Sequence, residues 1–493
     1  MEIFSWLLLI LFILYLFWKT VRPKQFPPGP MPLPFIGNLL QFNASSPLKD
    51  LDKYAQKYGP IFTLYLGGEP FVFVQGFSLV KEVLLTRGAE FAGRPENAIV
   101  EAINNKKGLI TAPYGQVWKE QRRFLLMSLR NFGLGKKSME EKILDEATYL
   151  IQIFEENMSE LTKDVPFDAC GFIVSAVANI ISTIVFGKRF NYDDKLLRNV
   201  LGLIHESSTV LIGPWAQLYN AVPLVRRLPL PHRNIINIAK KFAAFISKEV
   251  EEHRTTLVPG DHRDITDAYL EELQKPENKG SSFEEENMLI TLGELFLAGV
   301  ETTATTLEWA LLYMMAFPEV QEKCHVELNN VLGNNPCIKY EDRDKLPYTN
   351  AVIHEIQRFA NVVPVGIPHA PVKDMQLFGY TIPKDTTIIT SLISVHYDES
   401  QWKYPREFNP SNFLNEKGEF VKPEAFLAFS AGPRVCLGEN LARMELFLFF
   451  THIMRRFQVV WPDETKAPDL TPNFGVTMSP SRFKVTLKCH PQV

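Results

Sequence analysis

Cys436 is the residue whose setting points most directly to chemistry. Phe429, Gly432, Arg434, Cys436 and Gly438 follow the spacing FxxGxRxCxG, directly ahead of the helix-patterned run ENLARMELFLFF. A lone cysteine is usually a buried structural residue, since its side chain behaves as a small hydrophobe. Here the two glycines let backbone approach a large flat ligand. The amides that open the next helix favour a thiolate at Cys436. Together the five positions point to a permanent metal ligand.

Two further groups carry chemistry. Ala298, Gly299, Val300, Glu301, Thr302 and Thr303 place small residues beside an acid and a hydroxyl, the side chains needed to pass protons. The plainer reading of Thr302 is a bond back to the carbonyl of Ala298. Glu355 and Arg358 form an ExxR pair whose i,i+3 spacing puts both charges on one helix face. Glu120 with Arg123 and Glu251 with Arg254 share that spacing. Position selects Glu355, which precedes the proline-rich, β-like stretch leading to Cys436.

Other chemistries lose their signatures. No GxGxxG follows a strand pattern, and neither GxxxxGK[ST], HExxH nor GxSxG occurs. Net charge is −4 with basic residues dispersed, so nucleic acid is not an expected partner. Cys170, Cys324, Cys337, Cys436 and Cys489 include no CxxC pair, which argues against a disulfide framework and for a reducing compartment.

The elements that position these groups are mainly helical. From Ser282 to Phe317 there is no proline, Ser282 and Glu285 suggest a capping box, and apolar residues recur at helical spacing. This predicts a helix about 50 Å long. Helical periodicity covers most of 118–330, short β-like runs such as Thr386–Thr390 follow, and helix resumes after Cys436. No linker divides the 493 residues, so a single large domain of mainly α with minor β (α+β) is expected over 35–493.

The N-terminus reads as an uncleaved transmembrane anchor over 1–20. From Ile3 to Trp18 only Ser5 is polar, and no small-x-small cleavage site follows. Lys19, Arg22 and Lys24 put the remainder on the cytosolic side. Residues 21–34, basic and then proline-rich, read as a stiff hinge that holds the body off the bilayer.

From this hinge to the C-terminus the sequence resembles the cytochrome P-450 family of haem-thiolate monooxygenases, in particular its microsomal second vertebrate family. The resemblance implies haem b as cofactor with Cys436 as axial ligand of the iron, its electron-rich sulfur favouring O–O cleavage. It implies propionate contacts from Arg434, from Trp118 and Arg122 (WxxxR), and from Arg94 and His369. It implies that Ala298 lies against the haem, that Glu301 and Thr302 relay protons, and that Glu355 and Arg358 are structural, as are Phe429, Gly432 and Gly438. The family closes the ExxR network with a basic residue where this chain has Asn412, so a weaker hydrogen bond must suffice. By family position the substrate pocket takes Phe296, Ala298, Thr302, Val363, Gly366, Ile367, Val476 and Thr477, an apolar wall with few polar anchors.

No flavin or nicotinamide fold was found, so electrons must come from another protein. By resemblance this is the membrane-bound NADPH–cytochrome P-450 reductase, supplemented by a small cytochrome of the b type. Lys119, Arg122, Arg123, Arg130, Lys136 and Lys137 form a basic stretch suited to an acidic flavoprotein, or a solvated helix face. The apolar, proline-containing segment Leu211–Leu230 suits contact with membrane lipid. RNFGLGKKS, PYTNAVIHEIQR and the terminal PQV look most like the J-type branch, which oxidises polyunsaturated fatty acids and some drugs. An endoplasmic-reticulum monooxygenase is expected. A reductase-independent isomerase of lipid peroxides and a non-catalytic haem sensor remain the rivals.

Overall fold

The computed structural model describes residues 22–34, 36–41, 47–133, 137–158, 165–333 and 338–490, together with Phe4 and Trp6. The expected anchor, apart from those two residues, lies outside the described residues, as do Lys136 and Cys337.

Helices of seven residues or more are α1 (Pro47–Tyr58), α2 (Ala98–Asn104), α3 (Gln116–Asn131), α4 (Lys137–Asn157), α5 (Ala169–Phe186), α6 (Lys195–Val210), α7 (Pro214–Ala221), α8 (His232–Thr256), α9 (Ile265–Gln274), α10 (Glu285–Ala316), α11 (Pro318–Leu332), α12 (Pro347–Ala360) and α13 (Glu439–Arg456). The strands are β1 (Ile61–Leu66), β2 (Glu69–Val74), β3 (Met375–Leu377), β4 (Tyr380–Ile382), β5 (Thr387–Thr390), β6 (Phe457–Val460) and β7 (Thr486–Cys489). A mainly helical body with minor sheet is what the periodicities imply.

The long helix α10 has 32 residues, about 48 Å at 1.5 Å per residue, and it ends where Pro318 opens α11. It runs through the main core. Both α5 and α10 are long and apolar enough to cross a bilayer, yet 72% of the apolar window of α5 and 50% of that of α10 is packed inside the protein. Gly299 serves this packing: a Cβ there would lie 2.6 Å from Ile181 Cδ1 on α5. Its smallness therefore admits a neighbouring helix.

The expected capping box does not form. Glu284 is the N-cap residue and no side chain caps the helix. Ser282 instead donates its hydroxyl to Glu120 at 3.0 Å and accepts from Gln121 at 3.2 Å, tying the approach of α10 to α3.

A three-stranded sheet in the order β1-β2-β5 flanks the helical core. β1 and β2 are antiparallel, with Ile61 opposite Val74, and β2 and β5 are parallel, with Val72 opposite Ile388. The strand expected over Thr386–Thr390 begins one residue later; β1 and β2 were not anticipated. The proline-rich hinge is docked on the body. Pro28, which offers a carbonyl but no N–H, accepts from Thr63 of β1 at 2.7 Å, and Arg22 donates to Gly29 and Pro30 at 3.1 and 3.0 Å.

Candidate active site

Cys436 sits on a tight loop at the head of α13. A 3-10 turn over Gly432–Arg434 precedes it, and its amide donates to the Phe429 carbonyl at 3.0 Å. Gly432 has φ +74°, and a Cβ there would run into the Leu84 carbonyl oxygen. The loop thus needs this glycine to pack on the chain around Leu84, and not, as expected, to admit a ligand. Around Gly438 the space is open, as a flat ligand requires.

The Cys436 side chain is exposed, yet burial is the main influence on its thiol and pushes it up. The sulfur is therefore open yet closely surrounded by protein. The amides of Gly438 and Glu439 and the charge of Arg122 oppose the shift without overcoming it. The helix-opening amides thus favour a thiolate, as the sequence implies, while burial works against it. Haem iron held by Cys436 would add a positive charge that favours the thiolate further.

Leu295, Ala298 and Thr302 of α10, Val363, Val365 and Ile367 after α12, and Phe429 and Leu437 beside the cysteine also keep partial exposure. Three of the expected pocket residues, Phe296, Gly366 and Thr477, are buried and not on this surface. Phe296 is fully buried, its ring 5.7 Å from those of Phe186 and Phe245. Gly366 is buried, and a Cβ there would lie 2.9 Å from Thr390 Oγ1 of β5.

Arg94, Arg122 and Arg434 converge on the same region. Arg434 donates to the carbonyls of Ala92, Leu109 and Ala112 at 2.9, 3.2 and 2.7 Å, and its guanidinium lies 4.2 Å from the Trp118 ring centroid. Arg94 donates to Ile110, Ile367 and Pro368 at 2.8, 3.2 and 2.7 Å, and Arg122 to Val435 at 2.7 Å. Trp118 gives its indole N–H to Leu109 at 3.0 Å, and His369 Nδ1 lies 2.8 Å from the Phe91 carbonyl oxygen.

Burial lowers all three guanidinium pKa values, Arg434 to about 10, and Arg94 and Arg434, like Arg434 and Arg122, repel one another. Among the described residues none has an ion-pair partner. The nearest acid, Glu294, is pushed up to about 7 by burial while accepting from the amides of Leu109 and Ile110 at 2.5 and 2.9 Å. A desolvated cation cluster without an anion is costly. Beside an open sulfur, it fits a porphyrin bearing two carboxylates.

The ExxR pair forms in full. Arg358 makes two 2.7 Å bonds to Glu355, and donates to the carbonyls of His396, Pro405, Tyr404 and Glu407. Asn412 does stand where a basic residue was expected, giving its amide to Glu355 at 3.2 Å, and the Asn409 N–H adds a bond of 2.7 Å. The decoy Glu251–Arg254 pair is a surface contact at 3.4 Å.

The acid and the alcohol of α10 part company. Thr302 donates to Ala298 at 2.7 Å, whereas Glu301 accepts from Thr477 Oγ1 at 3.0 Å and lies 3.8 Å from His205 Nδ1. Val476 is half-buried, and its amide donates to Ser208 at 2.9 Å. Glu294, His205 and Ser208 were missed by the sequence reading. An acid on an otherwise apolar helix face was the available signal for Glu294; the other two had none.

Fold and site together define a haem-thiolate oxygenase. The family model described as cytochrome P-450 matches residues 27–487, and this chain belongs to that family. It is 44% identical over 479 residues to cytochrome P-450 2J1 of Oryctolagus cuniculus, covering 96% of this chain and 93% of the relative. It is 44% identical to cytochrome P-450 2J2 of Homo sapiens over 466 residues, with 94% and 91% covered. To cytochrome P-450 2C23 of Rattus norvegicus it is 41% identical over 474 residues, 95% of each. The chain is a cytochrome P-450 monooxygenase with haem b as its cofactor, and it is similar to J-type members of the family.

Proposed function

We propose that this chain is a membrane-bound monooxygenase that inserts one atom of dioxygen into lipophilic C–H or C=C bonds, with polyunsaturated fatty acids as the leading substrate class. The observation that carries this reading is the open Cys436 sulfur in a desolvated space beside three unpaired guanidiniums. Haem held by Cys436, with Arg94, Trp118, Arg122, His369 and Arg434 about its propionates, supplies dioxygen activation. The chain's own part is to exclude water with Leu295, Ala298, Val363 and Ile367 and to present the Thr302 hydroxyl for proton delivery.

Electrons come from NADPH–cytochrome P-450 reductase, with a cytochrome of the b type as a supplementary donor. Supporting this, Lys119, Arg123 and Arg130 of α3 and Lys137 are exposed, while Arg122 of α3 turns inward to the cysteine loop. The body faces the cytosol from the endoplasmic-reticulum membrane, anchored by 1–20. Supporting membrane contact, Trp215, Leu224 and Leu228 stand exposed at 38%, 67% and 41% around α7.

Reconstitution of the purified protein with reductase, NADPH and an unsaturated fatty acid tests this. NADPH consumption matched by oxygenated product is expected. Rearrangement of lipid peroxides without NADPH would favour the isomerase, and no turnover across a broad lipophile panel the sensor.

A further inference from the structure

Glu301 and Thr302 are neighbours in sequence but serve different parts of the molecule. Thr302 stays on its own helix, bonded to Ala298. Glu301 reaches across to α6 and to the turn around Thr477. Thr477 Oγ1 donates to Glu301 at 3.0 Å and lies 2.9 Å from Ser208 Oγ. The same Ser208 hydroxyl oxygen accepts from the Thr477 amide at 3.2 Å, and the Ser208 carbonyl accepts from Val476 at 2.9 Å. One turn earlier on α6, His205 Nδ1 lies 3.8 Å from Glu301 Oε1. Contact is close enough that a Cβ on Gly475 would lie 2.9 Å from Ser208 Oγ.

We infer that Glu301 is a positioning residue for the substrate pocket: through Thr477, Ser208 and His205 it clamps α6 and the C-terminal turn to the long helix, and it takes no part in delivering protons. This rests on the proposed function, with Val476 of the C-terminal turn in its substrate pocket as family position implies. With only 12% of its side chain exposed, the Glu301 carboxylate depends on these donors for solvation. The charged groups facing His205 are Glu301 and Glu308 of α10 and Arg482 of the C-terminal segment; Glu301 is the main cause of its raised pKa. The clamp is therefore tightest at pH low enough to charge His205.

Hydrogen exchange of the α6 amides in the resting holoprotein, read beside the kinetics, tests this. Glu301→Ala and Ser208→Ala should each speed exchange over 204–210 and raise KM severalfold, and the double variant should do less than the product of the two. Glu301→Gln, which keeps an acceptor for Thr477, should restore much of the protection. Peroxide released per NADPH should stay near wild type in all of them. Unchanged exchange in Ser208→Ala and Glu301→Gln, or peroxide release from Glu301→Gln as high as from Thr302→Ala, overturns the inference. Exchange is read without substrate, so the clamp can stand even if reconstitution gives no turnover.

Discussion

Glu355 and Arg358 meet in a two-pronged contact, each prong 2.7 Å, with both side chains at 0% exposure. Burial raises the pKa of Glu355, and the Arg358 charge together with the amides of Asn409 and Asn412 pulls it back down. Arg358 spends its remaining N–H groups on carbonyls of 396–407, so the pair fixes the segment leading to the cysteine loop. It positions the site without touching it.

Removing one member of such a pair leaves a buried charge alone. Glu355→Ala should therefore cost about 3–5 kcal/mol, and haem-loaded protein should fail to accumulate. Asn412→Ala removes the amide's contacts with Glu355 and its two bonds with the Tyr404 backbone but leaves the ion pair itself, and should cost about 1–2 kcal/mol, lowering the melting temperature while loading persists. Equal losses in the two variants would mean that Asn412 carries more of the network than its 3.2 Å bond indicates.

Among the described residues, Cys436 has the right surroundings for the ligand. Cys436 is open, whereas Cys324 is fully buried in the apolar core. Cys436→Ala should abolish the red-shifted carbon monoxide band of the reduced protein, and Cys324→Ala should leave it in place. The reverse pattern would assign the ligand to the wrong cysteine.

Where a motif fixes several residue types at once, the sequence reading was precise: the cysteine loop, the ExxR pair and the long helix all form. It was weaker wherever the answer depended on what a residue faces. Periodicity puts Phe296 and Thr302 on α10 but does not say that one meets Phe186 and Phe245 while the other meets open space. Glycine marks close approach without naming the neighbour, so Gly432 was assigned to a ligand when the Leu84 backbone occupies the place where its Cβ would be. Ser282 lost its capping role to tertiary partners on α3, which no local pattern contains.

Glu294 gives a pH dependence with a definite sign. Its carboxyl is raised to about 7, so the folded state binds this proton more tightly than the unfolded chain does. The resulting stability is fully present below the ordinary value of 4.5 and is lost as pH rises through about 7. Glu294→Gln keeps an acceptor for Leu109 and Ile110 but cannot ionise. Its melting temperature relative to wild type should rise between about pH 5 and pH 8. A flat difference across that range would mean that Glu294 does not titrate there.

Thr302 has a partly open hydroxyl-bearing side chain on α10, with a bond to Ala298 that it can exchange. Thr302→Ala should raise peroxide release per NADPH several-fold with haem loading unchanged, because proton delivery is impaired. Unaltered coupling would remove Thr302 from the reaction.

The arginine cluster makes opposite demands on the empty and the loaded protein. Without an anion, Arg94 and Arg434 repel each other in a desolvated setting, and the Glu294 carboxyl nearby is itself reluctant to ionise. Carboxylates placed among them would relieve that strain and gain charge-assisted hydrogen bonds. Arg94→Gln removes one of the mutually repelling charges. It should release haem to an acceptor protein at least tenfold faster, about 1.4 kcal/mol or more. The haem-free form of the same variant should gain less stability from added sulfate than haem-free wild type, since fewer unpaired cations remain for the anion to neutralise. If haem release and sulfate response both match wild type, Arg94 is held by the carbonyls of Ile110, Ile367 and Pro368 alone, and the cluster is not an anion site.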